Sequence, residues 1–381
     1  MEKLLFVAPS LVIGGMERVL VTLCNRLVQN GYDVTLLLLD QGDDLKSELD
    51  SRIDLKFKEP KAHLGKRIPY IRHKLYDDGM WETRATPQQL YEHYIGDDIY
   101  DVEIAFFRGM CVKIVSGSTN KDAVHLAWVH NDFRKAKGFQ NNFKTMKDVF
   151  NAYSAFDKVV CVSEQAREGF IETVGDTGNT LTIHNLLPVD DIVQKSQEKA
   201  DIPCMGGKLR LVNVGRMVDA AKGQTRLIRA VSRLRDEGRD ITLCLVGSGK
   251  DGAMIRNTIS EQSADNYIAM AGEQKNPYPF FAAADALVCS SIYEGYNLTV
   301  AEALILGVPV LSTDCTGPKE ILDNGKYGMI VENSEEGLYN GLKTLYDDPG
   351  LLEEYRKKAV ERMSFFDEER ILKQITELFR K

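Results

Sequence analysis

Two cations and two carboxylates carry the chemistry most legible in this chain. In VNVGRMVDAAKGQTRLI, from Val212, an apolar run closes at Gly215, and Arg216 and Lys222 fall on the loop before a periodic helix. Arginine offers a planar fork, lysine a compact charge and a helix N-terminus free N–H groups; together they suit a diphosphate. The plainer reading is a solvated loop with two surface cations. In SSIYEGYNLTVAEALILGVPV, from Ser290, Glu294 and Glu302 stand eight residues apart. Asn297 suits an N-cap, Gly295 lets the backbone approach a ligand, and the N–H groups of Tyr296, Asn297, Leu298 and Thr299 then lie at a helix start. Carboxylates accept hydrogen bonds from hydroxyls, so sugar or ribose hydroxyls are natural partners for Glu294 and Glu302. Otherwise Glu294 is simply exposed and Glu302 an early-helix acid favoured by the dipole.

In the first half, HLAWVHNDF ends an apolar run at His130, followed by Asn131 and Asp132. A histidine there is a candidate hydrogen-bond donor or general acid, or a structural histidine. Gly14 and Gly15 follow the first apolar run and read as a backbone nest near phosphate or as a plain turn. One pattern points elsewhere. Gly247-x-Gly249-x-x-Gly252 after ITLCLV, with Glu273 about 20 residues on, has dinucleotide-binding spacing. It follows the second strand of its series rather than the first, and leaves Arg216, Lys222, Glu294 and Glu302 without a task.

These residues must be positioned by strands and helices. LLFVAP, a glycine turn, the periodic MERVLVTLCNRLVQNG and the run YDVTLLLLD form a βαβ unit. Apolar strands covered on both faces imply a parallel sheet. DVEIAFF, VHLAWVH, KVVCVS and NTLTIHN continue the series; LRLVNVG, ITLCLVG, NYIAMAG, ALVCS, VPVLST and GMIVE make a second, and a helical tail closes the chain. The expectation is α/β: a first doubly wound domain over 1–188, a linker over 189–207, a second over 208–364 and a terminal helix over 365–381. Ligands of such sheets sit at the strands' carboxyl ends. The residues singled out above follow strands.

Composition bounds the rest. The 381 residues are 44% apolar and 27% charged with net charge −8, which speaks against a nucleic-acid partner. Seven cysteines, mostly in apolar runs and with no CxxC or Cys/His cluster, read as buried thiols of a reducing, cytoplasmic compartment. No apolar stretch approaches the ~20 residues of a membrane span. Basic and apolar residues interleave over Lys56–Lys74, a candidate contact with anionic membrane at its inner face, or else a solvated loop.

Taken together, GGMERV, VGRMVDAAKG, NPYPFFAAADALVCSSIYEGYN, the E-x7-E element EGYNLTVAE and TDCTGPKEIL resemble the retaining GT-B glycosyltransferases of family four, along nearly the whole chain. The resemblance implies two Rossmann-like lobes facing across a cleft, with the terminal helix crossing back to the first. It implies that Arg216 and Lys222, beside Gly215, bind the donor diphosphate as leaving group. Glu294 and the amides of Gly295, Tyr296 and Asn297 would hold the donor sugar. Leu298 and Thr299 would meet phosphate, Glu302 the ribose, and His130 would sit beside the reacting sugar. Gly14 and Gly15 would approach donor and acceptor. Asn297 and Ala221 depart from the family's commonest pattern.

The chain contains no Asp-x-Asp. The expected reaction uses no metal and no cofactor; the cations and helix amides stabilise the departing diphosphate. Retention by front-face transfer is implied by the resemblance. The expected co-substrates are a nucleotide-sugar, with UDP as base, and a glycan or lipid-linked acceptor. A same-fold epimerase or phosphorylase, and a non-catalytic subunit of a glycan-assembly complex, are the competing readings.

Overall fold

The computed structural model of the protein describes residues 1–57, 80–136, 138–204 and 206–380, Met80 by its backbone only. Most of the basic segment Lys56–Lys74 lies outside the described residues. Of its described members, Lys56 is held by Asp98 at 2.8 Å and Tyr100 at 3.3 Å.

The chain forms two compact units: Met1–Leu187 with Glu369–Lys381, and Pro188–Glu368. In the first, seven strands run β1 (Lys3–Ala8), β2 (Asp33–Leu38), β3 (Asp54–Phe57), β4 (Val102–Ala105), β5 (Val124–Val129), β6 (Lys158–Cys161) and β7 (Thr180–Thr182). All pairs are parallel, in the order β3-β2-β1-β4-β5-β6-β7. Strand β1 is buried on both faces after Lys3, as a helix-covered parallel sheet requires. The C-terminal helix Glu368–Glu377 buries Ile371 and Ile375, and Phe379 beyond it meets the Tyr32 ring edge-on at 5.5 Å.

The second unit holds β8 (Leu209–Val214), β9 (Ile241–Val246), β10 (Ile268–Gly272), β11 (Ala286–Cys289), β12 (Val310–Thr313) and β13 (Met329–Val331). Its parallel order is β10-β9-β8-β11-β12-β13. Its core joins Leu211, Leu227, Val231, Leu243, Ile255 and Leu342.

The stretch expected as a linker is more ordered than its composition implies. Val189–Ser196 is a helix of the second unit, with Asp190 and Asp191 in its first turn and Ile192 fully buried. Asn276 Nδ2 donates to Lys195 O at 2.8 Å, tying that helix's end to the loop after β10. One apolar face was enough to dock a helix that Pro and Gly punctuation disguised. Among the described residues no helix is long and apolar enough to cross a membrane.

Each sheet reverses its winding between two neighbouring strands, β1/β4 in the first unit and β8/β11 in the second. Doubly wound sheets bind ligands at that switch point, past the carboxyl ends. The residues after β1 and β4, and after β8 and β11, are those to inspect.

Candidate functional site

Past β8 the chain turns at Gly215, runs through Arg216 into a short helix Asp219–Lys222, and restarts at Gln224–Asp236. Gly223 joins the two helices with φ +62°, and a Cβ there would stand 2.5 Å from Ser290 O. The loop is braced: Gln224 Nε2 donates to Arg216 O at 3.0 Å, Thr225 Oγ1 to Asp219 Oδ2 at 2.8 Å, and the Asp219 N–H to Asp251 Oδ2 at 2.9 Å. Arg216 is exposed, and its guanidinium has no ion pair or hydrogen bond to a described residue.

Past β11 the chain enters the loop Ser290–Asn297. Arg226 pins it, donating to Ser290 O at 2.8 Å, Ser291 O at 3.1 Å and Asn333 Oδ1 at 2.6 Å. This anchor escaped the sequence reading because it sits in the first turn of helix Gln224–Asp236, a helix with several other arginines. Lys222 Nζ lies 2.5 Å from Glu294 Oε1, which also accepts from Ser291 Oγ at 2.5 Å. Burial lowers the Lys222 pKa, but the Glu294 charge and hydrogen bond raise it by more, and the ammonium is held cationic.

Asn297 is the N-cap, as its position predicted. Its Oδ1 accepts from the Val300 N–H at 3.1 Å and from Thr299 Oγ1 at 2.7 Å, and its Nδ2 donates to Cys289 Sγ at 3.1 Å. The Leu298 and Thr299 N–H groups have no acceptor among the described residues, so the start of helix Leu298–Ile305 keeps donors for an anion. Tyr296 and Gly295 are buried. Glu302 is also buried, and Tyr278 Oη donates to its Oε1 at 3.2 Å. This acid is therefore half of a buried pair.

The dinucleotide-like glycines have a structural use. A Cβ at Gly247 would stand 2.1 Å from Gly215 O, and one at Gly249 2.4 Å from Met217 O. They let the loop after β9 lie against the cation loop.

In the first unit, Pro9 follows β1, Phe107 and Arg108 follow β4, and His130 and Asn131 follow β5. With Met16 and Glu17 they line a cavity of about 250 Å³. His130 is buried and its Nε2 sits 2.8 Å from Phe106 O. A carbonyl only accepts, so Nε2 carries the proton and Nδ1, with no partner among the described residues, is a bare acceptor. Burial, opposed by the Phe106 contact and aided by Arg108, lowers the His130 pKa to about 4. The general acid considered for this position is thereby replaced by a neutral acceptor. Asp132 is spent on Arg134, with bonds of 2.9 Å from Nε and from Nη2.

Gly14, read as part of a nest or of a plain turn, is extended, with φ −166°, and N-caps the helix Gly15–Gln29. A Cβ on it would meet Glu17 Oε2 at 2.2 Å, so the Glu17 carboxylate lies over this helix start. Gly15 is exposed. Arg108, half-buried and bonded to Asn131 Oδ1, went unnoticed in the sequence. Its signal is a lone cation directly after the apolar run VEIAFF. No group of three His, Cys, Asp or Glu among the described residues is arranged to hold a metal ion.

Two family models match: "Glycosyltransferase Family 4" over residues 13–190, and "Glycosyl transferases group 1" over residues 208–348. The chain belongs to the group 1 glycosyltransferases. An uncharacterised glycosyltransferase of Methanocaldococcus jannaschii is 30% identical over 60% of this chain and 65% of its own length. The Campylobacter jejuni N-acetylgalactosamine-N,N'-diacetylbacillosaminyl-diphospho-undecaprenol 4-alpha-N-acetylgalactosaminyltransferase is 28% identical over 61% of this chain and 63% of its own. The match thus spans less than two thirds of either relative. The structure of Anabaena HepE in complex with UDP and glucose superposes with a TM-score of 0.77 at 20% identity, covering 99% of both chains; this likeness establishes the GT-B fold.

Proposed function

We propose that this group 1 glycosyltransferase moves a sugar, with retention and without a metal ion, from a UDP-sugar to a glycan or lipid-linked acceptor in polysaccharide or glycoconjugate assembly. The observation that carries the reading is the Lys222 ammonium, fixed at 2.5 Å from Glu294 beside the unpaired Arg216, at the β8/β11 switch point. As the sugar–phosphate bond breaks, negative charge grows on the departing UDP. Arg216, Lys222 and the free amides of Leu298 and Thr299 supply charge and N–H donors for such a group, and fixed donors of this kind contribute about 10²–10³ in rate each. Glu294 keeps Oε2 for a sugar hydroxyl, with Gly295, Tyr296 and Asn297 lining the same turn. Glu302, steadied by Tyr278, takes the ribose. His130 Nδ1 accepts from a hydroxyl while the anomeric carbon becomes oxocarbenium-like. Gly14 and Gly15 approach donor and acceptor.

UDP as base is supported by HepE having been crystallised with it, and a lipid-linked acceptor by the Campylobacter enzyme's name. Action from the cytoplasm at an anionic membrane, through Lys56–Lys74, belongs to the same proposal and rests on composition. Labelled UDP-sugars offered with and without acceptor extracts test it. Label passing into a glycan or lipid supports sugar transfer. Epimerised sugar or sugar phosphate without acceptor transfer favours the epimerase or phosphorylase reading. No turnover with any donor, together with no UDP binding, leaves a non-catalytic subunit.

A further inference from the structure

The first unit holds a second cavity, of about 340 Å³, away from His130, bounded by the turn Thr83–Pro87, by Lys113 and Ser116, and by the stretch from Asn142 to Ala152. At its wall lies Lys113, a lysine with only 5% of its surface exposed. Its Nζ donates to the carbonyls of Glu82 and Thr83, each at 3.0 Å. Among the described residues it forms no ion pair, although the charges of Asp148 and Glu82 reach it. Carbonyls satisfy N–H groups but do not neutralise charge, and buried lysines are seldom left without a counter-charge.

The surroundings sharpen the imbalance. Arg84 and Lys144 also line the cavity, and neither has a hydrogen bond or ion pair to a described residue. The acid at the wall, Asp148, is engaged elsewhere: its Oδ2 accepts from the Thr145 N–H and Thr145 Oγ1, each at 2.9 Å. Two helices begin at this wall, Pro87–Tyr94 capped by Thr86 and Met146–Ser154 capped by Thr145, so the positive ends of two dipoles add to three cations. Burial, and then Lys144, lowers the Lys113 pKa, opposed by the charges of Asp148 and Glu82.

We propose that this cavity binds a phosphate-type oxyanion, with Lys113 at its base and Arg84 and Lys144 at its rim. Two sources share that chemistry: free inorganic phosphate or pyrophosphate, and the phosphate of a lipid-linked acceptor. The acceptor assignment rests on the sugar-transfer reading; the anion site does not.

The test is calorimetric titration of the full chain with pyrophosphate and, separately, with a short-chain isoprenyl phosphate at fixed ionic strength. Binding should weaken about tenfold in K113M and several-fold in R84Q and in K144Q. Arg84 and Lys144 are exposed, so their variants stay informative if K113M fails to fold. Lys147, exposed on helix Met146–Ser154 but outside the cavity, is the control, and K147Q should bind as wild type. Isoprenyl phosphate binding more tightly than pyrophosphate, with the same sensitivity to R84Q and K144Q, assigns the site to the acceptor; equal binding assigns it to free phosphate. Binding unchanged in R84Q and K144Q, or weakened equally in K147Q, overturns the proposal. Loss of UDP-sugar turnover in K222A with this binding intact separates failure here from failure of the donor reading.

Discussion

Lys222 and Glu294, 72 residues apart in sequence, meet at 2.5 Å past the ends of β8 and β11. The two side chains hold each other in place. In the proposed reading a donor enters around this pre-formed ion pair, and little reorganisation is left for the reacting state.

K222A and E294Q should each cut turnover by about 10²–10³ with the fold intact. Because the two side chains act as one unit, the double variant should lose little more than the worse single one. Steady-state kinetics with circular dichroism measures both. Near-normal turnover in K222A would sink the diphosphate role.

If the charge on the leaving group is met by Arg216, Lys222 and helix amides, chelation should not matter. Enzyme dialysed against EDTA should keep its single-turnover rate. A strict requirement for Mg²⁺ in the chemical step would contradict this.

His130 has a pH signature. Its folded-state pKa of about 4 lies below the ~6.5 of an unfolded histidine, so the unfolded chain holds the extra proton between those values. The stability due to neutral His130 is therefore complete above pH 6.5 and is lost as pH falls toward 4, up to roughly 3 kcal/mol. Urea melts at pH 7 and pH 5 should show a larger drop for wild type than for H130Q. Equal slopes would mean that the ring is not buried neutral.

Gly317 sits where no side chain fits. A Cβ there would come within 2.5 Å of Gly295 O, 2.8 Å of Tyr296 Cα and 2.9 Å of Asn297 N, all backbone. G317A should push away the loop that presents Glu294, costing about 1–3 kcal/mol of stability and raising the donor KM several-fold. Gly206, with nothing within 4 Å of its Cβ position, is the control, and G206A should be silent. Thermal melts and kinetics on both decide it.

The basic segment calls for a vesicle assay. Charge reversal at Lys66, Arg67 and Arg72 should weaken sedimentation with anionic liposomes in a salt-dependent way. Unchanged sedimentation would dispose of the membrane contact.

What could be read along the chain was what local chemistry encodes. Apolar runs of strand length, glycine stops and the 3.6-residue period marked both βαβ series; Asn297 announced its cap; Arg216, Lys222, Glu294 and His130 each follow a strand. Their positions past carboxyl ends come from connectivity alone, because a helix-covered parallel sheet returns every strand in the same direction. Strand order, and with it the two switch points, came from pairing between segments tens of residues apart. So did the Lys222–Glu294 contact, the burial of Glu302 against Tyr278, the proton position on His130, the docked helix Val189–Ser196 and the emergence of Arg108. Each depends on which groups lose water together and which partner then lies within 3 Å, and desolvation and hydrogen-bond geometry are properties of the folded packing, not of any stretch of residues.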